Sequence, residues 1–397
     1  MFEIDSNYII ERRREIHMHP EVDFDLPNTV GIIKRELEAL GIPYTEKYGE
    51  GSVVGYINPE KKGFTIGIRA DTDALNMQER SGLPFASKID GKMHACGHDA
   101  HTAMLLGAAK ALKSIEDTLE CRVLLIFQPS EEGMKSGAIM MLEHGLADEV
   151  DVFIGQHVDI NHKAGTVAVL EGKVAASSRH FKITIEGKSA HAATAHTGID
   201  ALAIAVRIYN ALQLVVTREI PPREPVICMV GKLDAGTAQN IVAERAEMVG
   251  TIRTMNMKID EHINERLHKI CNSIAEEMGA KITVHAPPKS ACLYNNPYLV
   301  ELARKSMAKA IGEENVKVST AGMGSEDFSR MLLAKPGFMY RLGVRNEEKG
   351  YTIPVHHDDF ILDEAALETG AKVLVQFVVD NMSGIDRKKL DDAALKD

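Results

Sequence analysis

Residues 64–70 read FTIGIRA, and residues 102–115 read TAMLLGAAKALKSI. The first is a short apolar run of the kind that forms a buried strand, and the second is rich in the small and straight-chain residues that favour helix. The pairing recurs downstream. RVLLIF at 122–127 and VDVFIG at 150–155 predict strands, and GAIMMLEH at 137–144 predicts a short helix closed by Gly145. Strands alternating with helices imply an α/β fold, a mixed sheet flanked by helices. In such sheets ligands bind at the carboxyl ends of the strands.

Around residue 180 the pattern changes, because FKITI at 181–185 alternates apolar with polar, as a strand with one solvated face does. A helix (200–216), two strands (225–233 and 246–254), a second helix (259–278) and a strand (281–285) follow. The order βαββαβ is that of a ferredoxin-like unit. Residues 180–287 are therefore expected to form an inserted lid or dimerisation domain, and residues 1–179 with 288–397 a discontinuous catalytic domain. A helix at 297–311, a strand at 338–344 and a closing helix from Asp363 return the chain to the first domain, while the final DRKKLDDAALKD has too little apolar content to anchor firmly.

Length and composition agree with two domains. The chain has 397 residues, beyond the roughly 250–300 at which a single core stops growing. Its 45% hydrophobic and 26% charged residues are globular averages, which removes the disordered and fibrous classes. A formal net charge of -11 repels a phosphate backbone, so nucleic acid is not an expected partner. No stretch reads as a membrane span, and the charged start MFEIDSNYIIERRREIHMHP is unlike a secretory signal, so the expected compartment is the cytoplasm. The 5 cysteines are an odd number without a CxxC pair, which suits reduced thiols.

Chemistry-bearing residues gather at the strand ends. MHACGHDAHT at 93–102 precedes the Ala/Leu-rich helix, so Cys96, His98 and Asp99 fall at or just before a helix N-terminus. The positive end of the dipole, and still more a bound cation, favours the thiolate that coordinates metal. A buried cysteine beside helix-capping residues would look the same. RVLLIFQP runs into Ser130-Glu131-Glu132-Gly133, and VDVFIGQHV delivers His157. A Glu-Glu pair can be a solvated helix start, yet after an apolar strand it allows one carboxylate to hold metal while the other takes a proton from water.

These motifs, with RRREIHMHPEVDF from Arg12, GIRADTDAL from Gly67, FQPSEEG from Phe127, GKSAHAATAHTGIDA from Gly187, TAQNIVAERAEMVGTIRT from Thr237, GSEDF from Gly324 and VHHDDFILDEAAL from Val355, resemble the M20 metallopeptidase and amidohydrolase family along nearly the whole chain. The likeness is to its branch of N-acyl-amino-acid amidohydrolases, hippurate hydrolases and auxin-conjugate hydrolases. It implies two divalent metal ions, Mn or Zn first and Co or Ni as alternatives, held by Cys96, His98, Glu132, His157 and one histidine of the His356-His357 pair. His356 is preferred because the family motif has its histidine four residues before the aromatic, here Phe360. Glu131 becomes the general base, and His191 the lid histidine that helps polarise the scissile carbonyl. His196, Asn240 and Arg253 match lid positions that meet substrate polar groups; Arg253 is equally readable as a surface strand arginine. More distant branches place a histidine ligand where Asp71 stands, so Asp73 is expected to orient a ligand or pin a loop, and Asp99 likewise.

The implied reaction is hydrolysis of a small N-acyl-L-amino acid by metal-activated water, with dipeptides or N-acetyl-diaminopimelate as alternative substrates on the same site. A non-catalytic metal- or ligand-binding relative is the rival from another class, and the presence of Glu131 argues against it. Carbamoyl-amino-acid hydrolysis is disfavoured by the Cys-Gly-His-Asp cluster. A homodimer through the lid is expected. His17 and His19 are read as hinge or packing residues, His144, His262, His268 and His285 as surface histidines, and Glu326 and Asp327 as near the cleft or as a turn and helix cap.

Overall fold

The computed structural model of the protein describes residues 2–395. The chain begins with helices α1 (Ser6–His17) and α2 (Pro27–Ala39) and strands β1 (Tyr44–Thr45), β2 (Val53–Ile57) and β3 (Thr65–Asp71). Helix α3 (His98–Ser114), strand β4 (Arg122–Gln128), helix α4 (Gly137–Glu143) and strands β5 (Val152–Lys163) and β6 (Val167–Val169) follow. Next come β7 (Ser178–Glu186), α5 (Ala201–Arg218), β8 (Val226–Ala235), β9 (Arg245–Thr254), α6 (Met257–Met278) and β10 (Lys281–His285). The chain closes with α7 (Pro297–Ile311), β11 (Val316–Val318), α8 (Phe328–Ala334), β12 (Gly337–Arg345), α9 (Leu367–Asn381) and α10 (Arg387–Asp392).

Two compact units result. The first comprises the chain up to Val174, Tyr294–Ala321 and the residues from Asp327 on; the second comprises Ala175–Leu293 with the short segment Gly322–Glu326. The second is thus longer than the expected 180–287 and includes Gly322–Glu326, which the sequence pattern had left with the first domain.

In the first unit a mixed sheet has the order β1-β2-β4-β3-β5-β12-β6-β11. β3 is parallel to β4 and β5, and β5 to β12, while β2 runs antiparallel to β4. β3 is buried at every position, and of α3 only Lys110, Lys113 and Ser114 escape burial. An element so enclosed must satisfy its polar groups internally. Arg69 does so against β3 and the neighbouring β4: Nη1 meets Asp71 Oδ2 at 2.8 Å, and Nε meets Gln128 Oε1 at 2.9 Å.

In the second unit the antiparallel order β10-β7-β9-β8 presents Phe181, Ile183 and Ile185 of β7 to a core shared with α5 and α6. α5 is long and apolar enough, by length and composition, to cross a membrane, which the sequence reading did not anticipate. Its Ala201, Ile204, Ala205, Ile208, Leu212 and Val215 lie in the core of the unit instead. The C-terminal segment departs from expectation too: Asp386 caps α10, and Leu390 is buried with its carbonyl accepting from Asn296 Nδ2 at 3.0 Å. Arg387 Nη2 also donates to Asp151 Oδ1 at 2.9 Å, which helps seat this short helix. Lys396 and Asp397 of that stretch lie outside the described residues.

Candidate metal centre

The site is assembled at the C-terminal ends of β3, β4 and β5. Cys96 sits in the turn before α3, whose N-cap is Gly97 with φ +84°. A Cβ at Gly97 would lie 2.6 Å from Val158 Cγ2, so glycine is what lets this turn press against β5 beside His157. His98 opens the helix; its Nδ1 is 2.8 Å from the Asp73 carbonyl and acts as donor, while Nε2 is buried without a hydrogen-bond partner. A fully buried imidazole nitrogen left in this way, with Asp71 Oδ2 3.5 Å off, is a donor atom for a cation once its proton has left.

β4 ends at Gln128, and the chain turns through Ser130, which takes a positive φ of 51°. The Asp73 carboxylate accepts the backbone N–H of Glu131 and of Glu132, each at 3.0 Å, so one side chain fixes both acids. Asp73 thus pins the loop, and its Oδ1 also lies 3.4 Å from His98 Nδ1. His157 on β5 brings Nε2 to 3.3 Å from Cys96 Sγ. His356 has φ +64°, a conformation unfavourable for a side chain with a Cβ, held by its N–H donating to the Ala95 carbonyl at 2.8 Å. That backbone brings His356 Nε2 to 3.2 Å from Cys96 Sγ and 2.9 Å from Glu132 Oε1. His357 instead points to Asp358, with Nδ1 3.1 Å from its carboxylate.

The donor atoms form overlapping sets, each within 4.8 Å: Cys96, His98 and His157 in one, Cys96, Glu132 and His356 in another, with Glu131 joining His98 and Glu132 in a third. Cys96 is common to the first two. The thiolate, imidazole and carboxylate chemistry of these sets suits divalent ions, which Cys96, His98, Glu132, His157 and His356 would hold. Burial, with Glu132 and Glu131 adding to it and His98 opposing, pushes the Cys96 thiol well above its ordinary value. Burial would lower His98, but the Asp71 carboxylate prevails and holds it well above the usual range. Burial, reinforced by His101 and Arg341, keeps His157 well below it and therefore neutral.

Three features lay outside the sequence reading. His101 is fully buried, with Nδ1 2.5 Å from Asp71 Oδ1 and Nε2 accepting the Val158 N–H at 2.9 Å, so one nitrogen is tied to β3 and the other fixes β5 next to His157. A charged residue at the end of a buried strand requires a partner, and that was the available signal. Asp99 does not orient a metal ligand as expected: its carboxylate accepts from Arg13 Nε at 3.0 Å and His17 Nδ1 at 2.7 Å, because a buried carboxylate in α3 needs positive charge from α1. His17 is accordingly a buried ionic partner, its Nε2 3.2 Å from Glu79.

The remaining candidates belong to the second unit. His191 starts a short 3-10 segment, Ala192–Thr197, with Nδ1 accepting the Ala193 N–H at 3.1 Å. The neutral ring therefore carries its proton on Nε2. The Ala192 N–H donates to the Asn240 carbonyl at 2.9 Å, which ties the His191 and Asn240 segments together. His196 is exposed, and half-buried Arg253 donates from Nη1 to the Met323 carbonyl at 3.1 Å.

Residues 67–380 match the model of peptidase family M20/M25/M40. The chain belongs to this family. It is 37% identical over 369 residues to thermostable carboxypeptidase 1 of Saccharolobus solfataricus, covering 92% of this chain and 93% of that protein. It is 34% identical to an N-acetylcysteine deacetylase of Bacillus subtilis, covering 94% and 96%. It also resembles the crystal structure of a Bacillus subtilis protein described as a dinuclear metal-binding peptidase of the M20 family, with TM-score 0.80 and 32% identity over 96% of this chain and 99% of that one. This M20 chain is therefore a metal-dependent amidohydrolase or peptidase acting on small amides, and its two donor sets match a dinuclear centre.

Proposed function

We propose that the enzyme hydrolyses the amide bond of N-acyl-L-amino acids. The observation that carries this reading is Glu131, a buried carboxylate fixed beside both donor sets while Cys96, His98, Glu132, His157 and His356 suffice as ligands. A pair of divalent cations, Mn or Zn in preference to Co or Ni, would supply Lewis acidity and lower the pKa of water at the site. Glu131 takes the proton from the attacking water and returns it to the leaving amine. His191, with its Nε2–H, donates to the acyl oxygen as negative charge develops there. Asn240, His196 and Arg253 bind the polar groups and carboxylate of the amino acid.

The N-acetylcysteine deacetylase among its relatives supports an acyl-amino-acid substrate. The carboxypeptidase relative favours dipeptides as the second reading, since both reactions release an amino acid with a free carboxylate. The second unit, with its order βαββαβ, is read as a ferredoxin-like lid. Its edge strand β8, with Ile227, Met229 and Leu233 exposed, is read as the surface that joins two copies in the cytoplasm. Light scattering tests the last point.

The deciding experiment measures free amino acid released from N-acetyl, N-benzoyl and dipeptide substrates, using metal-stripped protein reloaded with Mn or Zn. Glu131→Gln is expected to lose orders of magnitude in turnover with metal content intact. Turnover that survives the substitution overturns the assignment of the base; loss of metal together with turnover makes Glu131 a ligand.

A further inference from the structure

Asp327 occupies the N-cap position of α8, yet its carboxylate makes no capping hydrogen bond there. It is fully buried and turned away from the helix it precedes. Oδ1 accepts from Arg69 Nη2 at 3.1 Å and from Gln128 Nε2 at 2.8 Å. Oδ2 accepts from Ser136 Oγ at 2.6 Å and from the Ala138 N–H at 3.2 Å. These donors come from β3, the end of β4 and the start of α4, so the residue is fastened to three elements that frame the Glu131 turn. The helix-cap role suggested by the sequence does not account for this.

The backbone N–H of Asp327 donates to Glu131 Oε1 at 3.4 Å. The last torsion of a glutamate is soft and roughly two-fold, so burial alone does not fix the plane of its carboxylate. A donor on one oxygen does. A general base also has to stand within hydrogen-bond reach of the proton it takes, and small misplacements are costly.

We propose that Asp327 is a positioning residue for the general base: its carboxylate, held by Arg69, Gln128, Ser136 and Ala138, anchors the peptide whose N–H holds Glu131 in its productive orientation. Ser136 belongs to the same device, because its hydroxyl donates to Asp327 while accepting the Ile139 N–H at 3.1 Å. The inference rests on reading Glu131 as the base, and the test separates the two.

Asp327→Asn keeps the shape and removes the charge. It is expected to lower kcat by about tenfold or more with KM and metal content unchanged, as loss of orientation does. Glu131→Asp retracts the carboxylate by one methylene from the amide, so in that background Asp327→Asn should cost less than about twofold. Ser136→Ala, expected to give a smaller loss of the same kind, carries the cycle if Asp327→Asn does not fold. Losses that multiply in the double variant, or a loss that appears in KM or metal content instead of kcat, overturn the proposal. If Glu131→Asp alone leaves kcat unchanged, the assignment of the base fails instead. Crystals of metal-loaded Ser136→Ala and Asp327→Asn provide a reading free of turnover: a Glu131 carboxylate that has rotated supports the device, and one that has not moved refutes it.

Discussion

Loading metal into this site should expel about two protons per protein near neutral pH, because two of the ligands bind metal only after losing a proton they hold in its absence. Those two are Cys96, whose thiol burial pushes well above its ordinary value, and His98, which Asp71 holds protonated against the effect of burial. His157 is kept neutral by burial, and Glu132, lowered by His356 and His98 against burial, is already a carboxylate, so neither adds to the count. Two protons make the apparent affinity rise about a hundredfold per pH unit, roughly 2.7 kcal/mol, across the range below both raised values. Since both donor sets share Cys96, its proton leaves once per protein and not once per ion. Titration calorimetry with Mn or Zn at one pH, in buffers of different ionisation enthalpy, reads the number as a slope, and Cys96→Ser should reduce it by about one. A slope near zero would mean that a thiolate and a neutral His98 are already present without metal, which would refute the electrostatic reasoning.

His17 lies between the Asp99 and Glu79 carboxylates, which raise its pKa although burial acts to lower it. Its contribution to stability is complete below an unfolded value of about 6.5 and is lost as pH climbs through the raised folded value. Thermal melts from pH 6 to 9 should therefore show a decline that His17→Gln flattens; parallel slopes would count against the ion pair. Gly97→Ala combines a left-handed backbone with a Cβ 2.6 Å from Val158 Cγ2, and should cost roughly 2 to 5 kcal/mol in denaturant unfolding of the metal-free protein. Asp73→Asn leaves one of the Glu131 and Glu132 amides without its acceptor, at about 1–3 kcal/mol, and equilibrium dialysis should show metal affinity reduced by about tenfold to a hundredfold. Unchanged metal binding would mean that the turn holds itself.

The strands and helices were legible because their apolar runs are continuous, and a run such as RVLLIF admits few placements. The metal donors could be named because each follows such a run or precedes the Ala/Leu-rich helix. The charge partners could not be named. Asp99 meets Arg13 and His17, 86 and 82 residues away, and Asp71 meets His101 across 30, so the pairing exists only once β3, α3 and α1 are packed. α10 escaped for the opposite reason, since a single buried Leu390 leaves no periodic signature. Asp327 looked like a cap because caps and buried acids share the same residue type, and only its partners distinguish them.

The sulfur at the centre of the site leaves it without redundancy. Loss of His157 or His356 would remove one donor from one of the sets named above, whereas a single oxygen atom added to Cys96 removes a donor from two at once. The metal-free thiol is buried and its pKa is raised, so it oxidises slowly, and the enzyme keeps this shared donor intact until its ion arrives.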